Sequence, residues 1–338
     1  MFLQSPKPLK AVVIRRHGGP NVLSYEEIDR PKPKNGYTII KVSCCAVNHL
    51  DVWVRKGLTG RKVLFPHVLG SDVCGTLMKG FGNFKRGEKV VVYPAIKSDI
   101  PRVSYSIIGG FGKYCGGYAE FIQVPQANIV RKPEWLSDEE ACALNVSYLT
   151  AWNMLERSNC KKGNTILIWG SNSGVGSAAI LLAKAKGIKV ITVASNASKV
   201  RRAKRLGANL VIDRSKSDVI AQILKYTKNR GVDAVIDHVG AKTWSVSIEA
   251  LKVSGIMLAC GTTSGSEATI NIRTFYSKEA QIVGAYLGTK SQLLSLYKFM
   301  RLRKIRPVID RVFDLKDAIL AHEKIESSNQ FGKIILKV

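Results

Sequence analysis

Apolar residues in the first 130 positions gather in short runs rich in Val and Ile, as in Ala11–Ile14, Thr38–Ser43, Lys89–Tyr93 and Tyr118–Val124, with Gly and Pro punctuation between them. Short apolar runs bounded by turn residues predict strands. Turn signals such as Asn35-Gly36 and Lys85-Arg-Gly-Glu88 punctuate them. The region therefore predicts an all-β unit, a partly open barrel. The pattern changes near Ser137, where Ser137-Asp-Glu-Glu140 reads as a capping box that opens a helix. From Thr165 onward, apolar runs alternate with helical periodicity: strands at Thr165–Trp169, Lys189–Val193, Leu210–Ile212, Ala234–Asp237, Ile256–Ala259 and Gln281–Tyr286, with helices at Val175–Lys186, Ala197–Leu206, Val219–Thr227 and Lys242–Leu251 between them. Such alternation predicts a doubly wound parallel sheet of the Rossmann type. A helix, a β segment near Val312, a second helix and the strand Lys333–Val338 complete the chain, and that last strand is expected to return to the first unit. The predicted division is 1–147 with 290–338 for the β-rich domain, and 148–289 for the Rossmann domain.

Composition changes this picture in few places. No run of about 18 apolar residues is present, so no spanning helix is expected, and Met1–Lys10 lacks the apolar core of a secretory signal. A cytoplasmic protein is the expectation. The seven cysteines form no Cys-x-x-Cys pair and read as small buried hydrophobes. Charge is the unusual feature, with 52 Lys and Arg against 25 Asp and Glu, a net +27. That field draws polyanions, so nucleic acid is weighed as a partner. The cations are nevertheless spread along the chain, and a dinucleotide phosphate would be drawn to them equally.

The sharpest motif is Trp169-Gly-Ser-Asn-Ser-Gly-Val-Gly176, which follows an apolar strand and opens a helix. In this context Gly170 serves the tight turn, Gly174 admits a pyrophosphate to the backbone, and Gly176 lets helix and strand pack closely. Ser173, Gly174, Val175 and Gly176 then present N–H groups to an anion at the helix start. Cofactor choice is read after the next strand, where an NAD site carries a carboxylate for the ribose 2′-OH. Here the segment is Val193-Ala-Ser-Asn-Ala-Ser-Lys199. Ser195 and Lys199, with Arg214 after the third strand, suit a 2′-phosphate instead, which favours NADP(H).

Several blocks occur in one fixed order: Asn48–Gly57, Pro66–Asp72, Gly116–Glu120, Leu149–Trp152, Gly174–Gly176, Asp237–Gly240 and Phe331–Lys333. Together they make the chain resemble the medium-chain dehydrogenase/reductase superfamily. The resemblance implies a GroES-like catalytic domain joined to a Rossmann domain. Zinc-dependent members hold a metal through a Cys, a His and a third Cys or acidic residue, and the matching positions here are Asn48, Ser71 and Val146. Asn and Ser oxygens are poor zinc ligands and Val offers none. The stretch Pro94–Tyr114, matching the structural-zinc lobe, has no cysteine. The zinc-free quinone oxidoreductase-like branch is the nearer resemblance, and no metal is expected.

Without a Lewis acid, a simple carbonyl lacks its usual electrophile. A quinone or conjugated enone delocalises the incoming charge, so the expected reaction is NADPH-dependent reduction of such a small-molecule acceptor. The resemblance places Asn48, Asp72 and Thr150 near the reacting groups. It sets His49 and Lys333 against the cofactor pyrophosphate, with acid catalysis or a structural role still open for His49. Gly261 and Thr262 would line the nicotinamide end, and His238 would touch cofactor or cap a turn. Trp53, Leu58, Tyr93, Ile96 and Phe275 are candidate walls of the substrate pocket. Two other readings stand beside this one: an alcohol dehydrogenase with atypical or lost zinc ligands, and an RNA-binding protein like the zeta-crystallins. The family's habit of pairing the edge strand of the cofactor sheet implies a homodimer or homotetramer, with Gln281–Tyr286 as the candidate edge.

Overall fold

A computed structural model describes residues 8–98, 105–112 and 115–338. Part of the Pro94–Tyr114 stretch and most of Met1–Lys10, both read above from sequence, lie outside the described residues. The chain divides into two compact units. One runs up to Val146 and resumes at Ile309–Val338; the other is Ser147–Val308.

In the first unit the strands are β1 (Leu9–Ile14), β2 (Ser24–Ile28), β3 (Tyr37–Val47), β4 (His67–Val68), β5 (Asp72–Leu77), β6 (Lys89–Val92), β7 (Ala95–Lys97), β8 (Tyr105–Ile107), β9 (Phe121–Pro125) and β10 (Ile129–Arg131). Helices α1 (His49–Lys56) and α2 (Asp138–Cys142) interrupt and close this series. Among the described residues the largest sheet runs β10-β6-β5-β3, then continues through strands from the C-terminal segment, with β9 also on β3. Along β3, alternate side chains are buried up to Ser43 and a continuous buried run follows, because its end is covered on both faces. Ile14, Ile40, Val42, Leu69 and Ile122 contribute to one core with Ile334 and Leu336 of the returning segment.

The second unit opens with α3 (Ser147–Arg157) and continues as β11 (Thr165–Ile168), α4 (Gly174–Ala185), β12 (Lys189–Ala194), α5 (Ala197–Arg205), β13 (Leu210–Asp213), α6 (Val219–Thr227), β14 (Val232–Asp237), α7 (Ala241–Ala250), β15 (Leu251–Ala259), α8 (Ile272–Ser277), β16 (Gln281–Gly284) and α9 (Lys290–Leu302). Its sheet is parallel throughout, in the order β13-β12-β11-β14-β15-β16. Crossover helices force that parallel arrangement and bury the strands on both faces. The order reverses direction next to β11, the position where ligands bind in open α/β sheets.

The chain then returns through β17 (Ile309–Asp314), α10 (Ala318–Glu326) and β18 (Lys333–Lys337). β18 pairs antiparallel with β3 and parallel with β17, so the last strand does rejoin the first unit. The sequence reading put that return at 290, whereas the compact division puts it at Ile309. The reason is α9, whose buried stripe of Leu293, Leu296, Tyr297 and Met300 lies in the second unit, where the helix packs against α3. No helix among the described residues is long and apolar enough to cross a membrane.

Candidate active site

Register on β3 builds the polar cluster of the first unit. Asp72, at the start of β5, pairs with Ala46 on one side of β3, while Ile334 of β18 pairs with Val47 on the other. Residues 72 and 333 therefore flank Asn48, the residue after β3. Asn48 is the N-cap of α1 and forms a capping box with Asp51. Its side chain also reaches across the sheet: Oδ1 accepts from Lys333 Nζ at 2.6 Å and Nδ2 donates to Asp72 Oδ2 at 2.9 Å. Lys333 Nζ also donates to Asp72 Oδ2 at 2.9 Å and to the Val47 carbonyl at 3.2 Å. Asp72 Oδ1 accepts from the Val146 N–H at 2.7 Å.

The consequence is a closed polar cluster. The three hydrogens of the Lys333 ammonium meet three acceptors, and Asn48 is engaged at both ends of its amide. Lys333 and Asp72 are 2% and 0% exposed, which makes their contact a desolvated ion pair. The expectation that Lys333 reaches a pyrophosphate is replaced by this internal role, because its donors are already filled by Val47, Asn48 and Asp72. The two positions that match zinc ligands at Asn48 and Val146 are tied together through Asp72. Ser71, the third such position, is fully buried, and its hydroxyl has no hydrogen-bond partner. Among the described residues no group of three His, Cys, Asp or Glu side chains is arranged to hold a metal ion. The donor set does not fit zinc.

Asp51 extends this network. Its Oδ2 accepts from the Asn48 N–H at 2.7 Å and its Oδ1 from the Gly70 N–H at 3.1 Å. Tyr118 Oη donates to Asp51 Oδ2 at 3.2 Å and lies 3.2 Å from His322 Nε2. No spacing rule would have joined Tyr118 and His322, which are 204 residues apart. His49 begins α1 and tilts toward Trp53, with ring centroids 6.4 Å apart. Leu58, just beyond α1, is exposed, and Tyr93 is half-buried, where burial raises its phenol pKa. Ile96, on β7, packs against the core of the first unit.

In the second unit the Gly170–Gly176 segment forms the turn from β11 into α4. Ser173 is the N-cap of α4 and accepts from the Gly176 N–H at 2.9 Å. A Cβ at Gly176 would lie 2.1 Å from the Gly170 carbonyl oxygen, so only glycine permits this closeness. Gly170 itself has φ +59°, a conformation that glycine adopts without strain. His238 braces the loop from β14: its Nε2 lies 2.9 Å from the Trp169 carbonyl and 3.2 Å from Ser173 Oγ. The carbonyl bond requires the proton on Nε2, and burial lowers the imidazole pKa, so the ring is neutral. A Cβ on Gly170 would strike His238 Cε1 at 2.7 Å, and one on Gly261 would strike the His238 carbonyl at 2.5 Å. His238, Gly170, Ser173 and Gly261 are thus one packed group, with Thr262 following Gly261.

At the end of β12, the Arg214 N–H donates to the Ala194 carbonyl at 3.0 Å. That bond sets Arg214 beside Ser195. Lys199, whose N–H is capped by Asn196 Oδ1 at 3.0 Å, feels the Arg214 charge; burial first and that cation second lower its pKa. Thr150 is buried on α3. Phe275 lies on α8 and packs against the core of the second unit, which is a different setting from the first-unit wall candidates.

The described geometry agrees with comparisons to known proteins. A family model described as "Alcohol dehydrogenase GroES-like domain" matches residues 34–134, and one described as "Zinc-binding dehydrogenase" matches 174–301. Human quinone oxidoreductase is 30% identical over 342 residues, covering 98% of this chain and 98% of its own. A crystal structure of an NAD-dependent alcohol dehydrogenase superposes with a TM-score of 0.91 at 34% identity, covering 97% of this chain and 99% of its own. A mycobacterial protein solved with NADPH does so with a TM-score of 0.85 at 26% identity, covering 97% of this chain and 100% of its own. The likeness extends over nearly the whole length, and the chain belongs to the medium-chain dehydrogenase/reductase superfamily.

Proposed function

We propose that the chain is an NADPH-dependent, zinc-independent oxidoreductase that transfers hydride to a quinone or an α,β-unsaturated carbonyl. The observation that carries this reading is the closed Asn48–Lys333–Asp72 cluster. A buried ammonium already satisfies the carboxylate there, so the site favours acceptors that spread developing charge over their own conjugated framework. The bound cofactor supplies the hydride. Gly170, Ser173, Gly174, Val175 and Gly176 hold its diphosphate, His238 braces that loop, and Gly261 and Thr262 flank the nicotinamide end. The family resemblance assigns His49 to the diphosphate, Thr150 to the nicotinamide, and Trp53, Leu58, Tyr93 and Ile96 to the acceptor.

The preference for NADPH over NADH rests on Ser195, Lys199 and Arg214. Lys199 feels the Arg214 charge, the Ser195–Lys199 segment carries no carboxylate, Asp213 beside Arg214 is engaged by Ser215, and a 2′-phosphate would relieve the repulsion of the two cations. The test is steady-state kinetics with both cofactors against a panel of quinones and enones. Replacing Lys199→Ala together with Arg214→Ala is expected to raise KM for NADPH by about 10- to 100-fold, the worth of one or two lost charge-assisted bonds, and to leave NADH nearly unchanged. Equal losses for both cofactors would remove the 2′-phosphate assignment. The similarity to an NAD-dependent alcohol dehydrogenase favours a second reading, alcohol oxidation. One tight zinc per chain with alcohol turnover would establish it over the first.

A further inference from the structure

We infer that Asp51 is a positioning residue: its ionised carboxylate ties the Asn48 segment to the Gly70–Asp72 segment and so sets the spacing of the Asn48–Lys333–Asp72 cluster. This rests on the site proposed above, but on neither cofactor choice nor acceptor class. The two carboxylate oxygens divide the work. Oδ2 takes the Asn48 N–H and Oδ1 takes the Gly70 N–H, so one side chain fixes both backbone segments that converge on the cluster. The helix-capping motif explains only the first bond; Gly70 lies 19 residues from Asp51, outside any local motif.

The carboxylate is itself held from behind. Tyr118 has a single hydroxyl hydrogen and gives it to Asp51, so its oxygen must accept from His322 Nε2–H. His322 is buried, and burial together with the Arg55 charge pulls its pKa down to about 3, which keeps the ring neutral. Its Nδ1 has no hydrogen-bond partner, consistent with that tautomer. Every donor in this chain points toward Asp51, the arrangement that suits an acceptor-only carboxylate.

Burial pushes the Asp51 carboxyl up to about 7, against the lowering effects of the Asn48 and Gly70 N–H groups and of Lys333; Asp72 adds to the rise. The other titratable groups facing it are Tyr118, Cys45 and, through Tyr118, His322. Proton uptake converts one oxygen into a donor, which then opposes an N–H. Activity should therefore climb with pH through about 7. Stability should move the other way: a carboxyl with a raised folded pKa favours the folded state below that pKa and loses the contribution as pH rises through it.

The experiment compares wild type, Asp51→Asn and Tyr118→Phe between pH 5.5 and 9, roughly the window that brackets this titration. Rates are read with whichever acceptor or alcohol the chain turns over. In Asp51→Asn, the amide must set an N–H against an N–H, and kcat should fall about tenfold or more with the cofactor KM little changed. Its acid limb should disappear. Tyr118→Phe removes a donor to the carboxylate, so the acid limb should move up by about half a unit to one unit. Melting temperature needs no substrate: wild type should lose stability relative to Asp51→Asn as pH rises toward about 7, and the loss should level off roughly one unit above it. Failure of quinones and enones as acceptors would count against the proposed reaction alone. An acid limb that survives in Asp51→Asn, or stays fixed in folded Tyr118→Phe, would overturn the positioning role.

Discussion

One buried cation, Lys333, organises the polar cluster of the first unit. Lys333 is 2% exposed, and its ammonium is shared among Val47, Asn48 and Asp72. Removing one member of a desolvated ion pair leaves the other charge uncompensated, at a cost of about 3–5 kcal/mol. Lys333→Met should therefore lower the urea midpoint markedly, because Asp72 keeps only Asn48 Nδ2 and the Val146 N–H. Adding Asp72→Asn to Lys333→Met should recover part of that loss, since the double variant no longer leaves the Asp72 charge without its partner. Urea unfolding of the four proteins in this cycle measures the coupling. Additive losses would show that the two residues act independently despite their 2.9 Å separation. Glycine carries the same weight in the second unit, where Gly170 and Gly176 are spaced by contact distances that exclude a methyl group.

At the scale of elements, α4 and its preceding loop form the piece most exposed to that constraint. In Gly176→Ala the new Cβ meets backbone, the Gly170 carbonyl, and no rotamer change can relieve it. The loop must open, with an overpacking cost of about 1–3 kcal/mol and a loss of cofactor affinity of about tenfold or more. Gly284→Ala is the matched control, because nothing lies within 4 Å of its added Cβ. Fluorescence titration with NADPH separates them, and similar affinities for both variants would contradict the cradle. This loop was legible in the sequence because its parts are contiguous. So was α6, expected and found at Val219–Thr227, where Asp218 caps an amphipathic stretch. The short α8 was not, since six residues are too few to show a helical period. The stripe of α9 announced a helix but not which unit it would cover. Asn48, Asp72 and Lys333 are 24 and 261 residues apart along the chain, so strand register joins them and only the family resemblance could anticipate their meeting.

At the scale of the whole molecule, the excess of 27 positive charges has a consequence that depends on the proposed cofactor. Many of the cations are exposed, Arg201, Arg202, Lys204 and Arg205 on α5 among them, following directly on the Ser195–Lys199 segment. A positive field raises the local concentration of an anion and speeds its capture, and salt weakens that effect as the Debye length shrinks from about 30 Å at 0.01 M to about 10 Å at 0.1 M. The 2′-phosphate adds about −1.5 to −2 charge, so NADPH feels the field more strongly than NADH. Across that salt range kcat/KM for NADPH should fall by roughly three- to tenfold, with a smaller fall for NADH and with kcat unchanged for both. Steady-state kinetics at several salt concentrations reads all three quantities. The separation of the two cofactors is the informative part, because it follows the extra charge of the 2′-phosphate, and its loss in Lys199→Ala with Arg214→Ala would tie that sensitivity to these two cations. Parallel salt curves for the two would show that the charge serves some purpose other than capture of the 2′-phosphate.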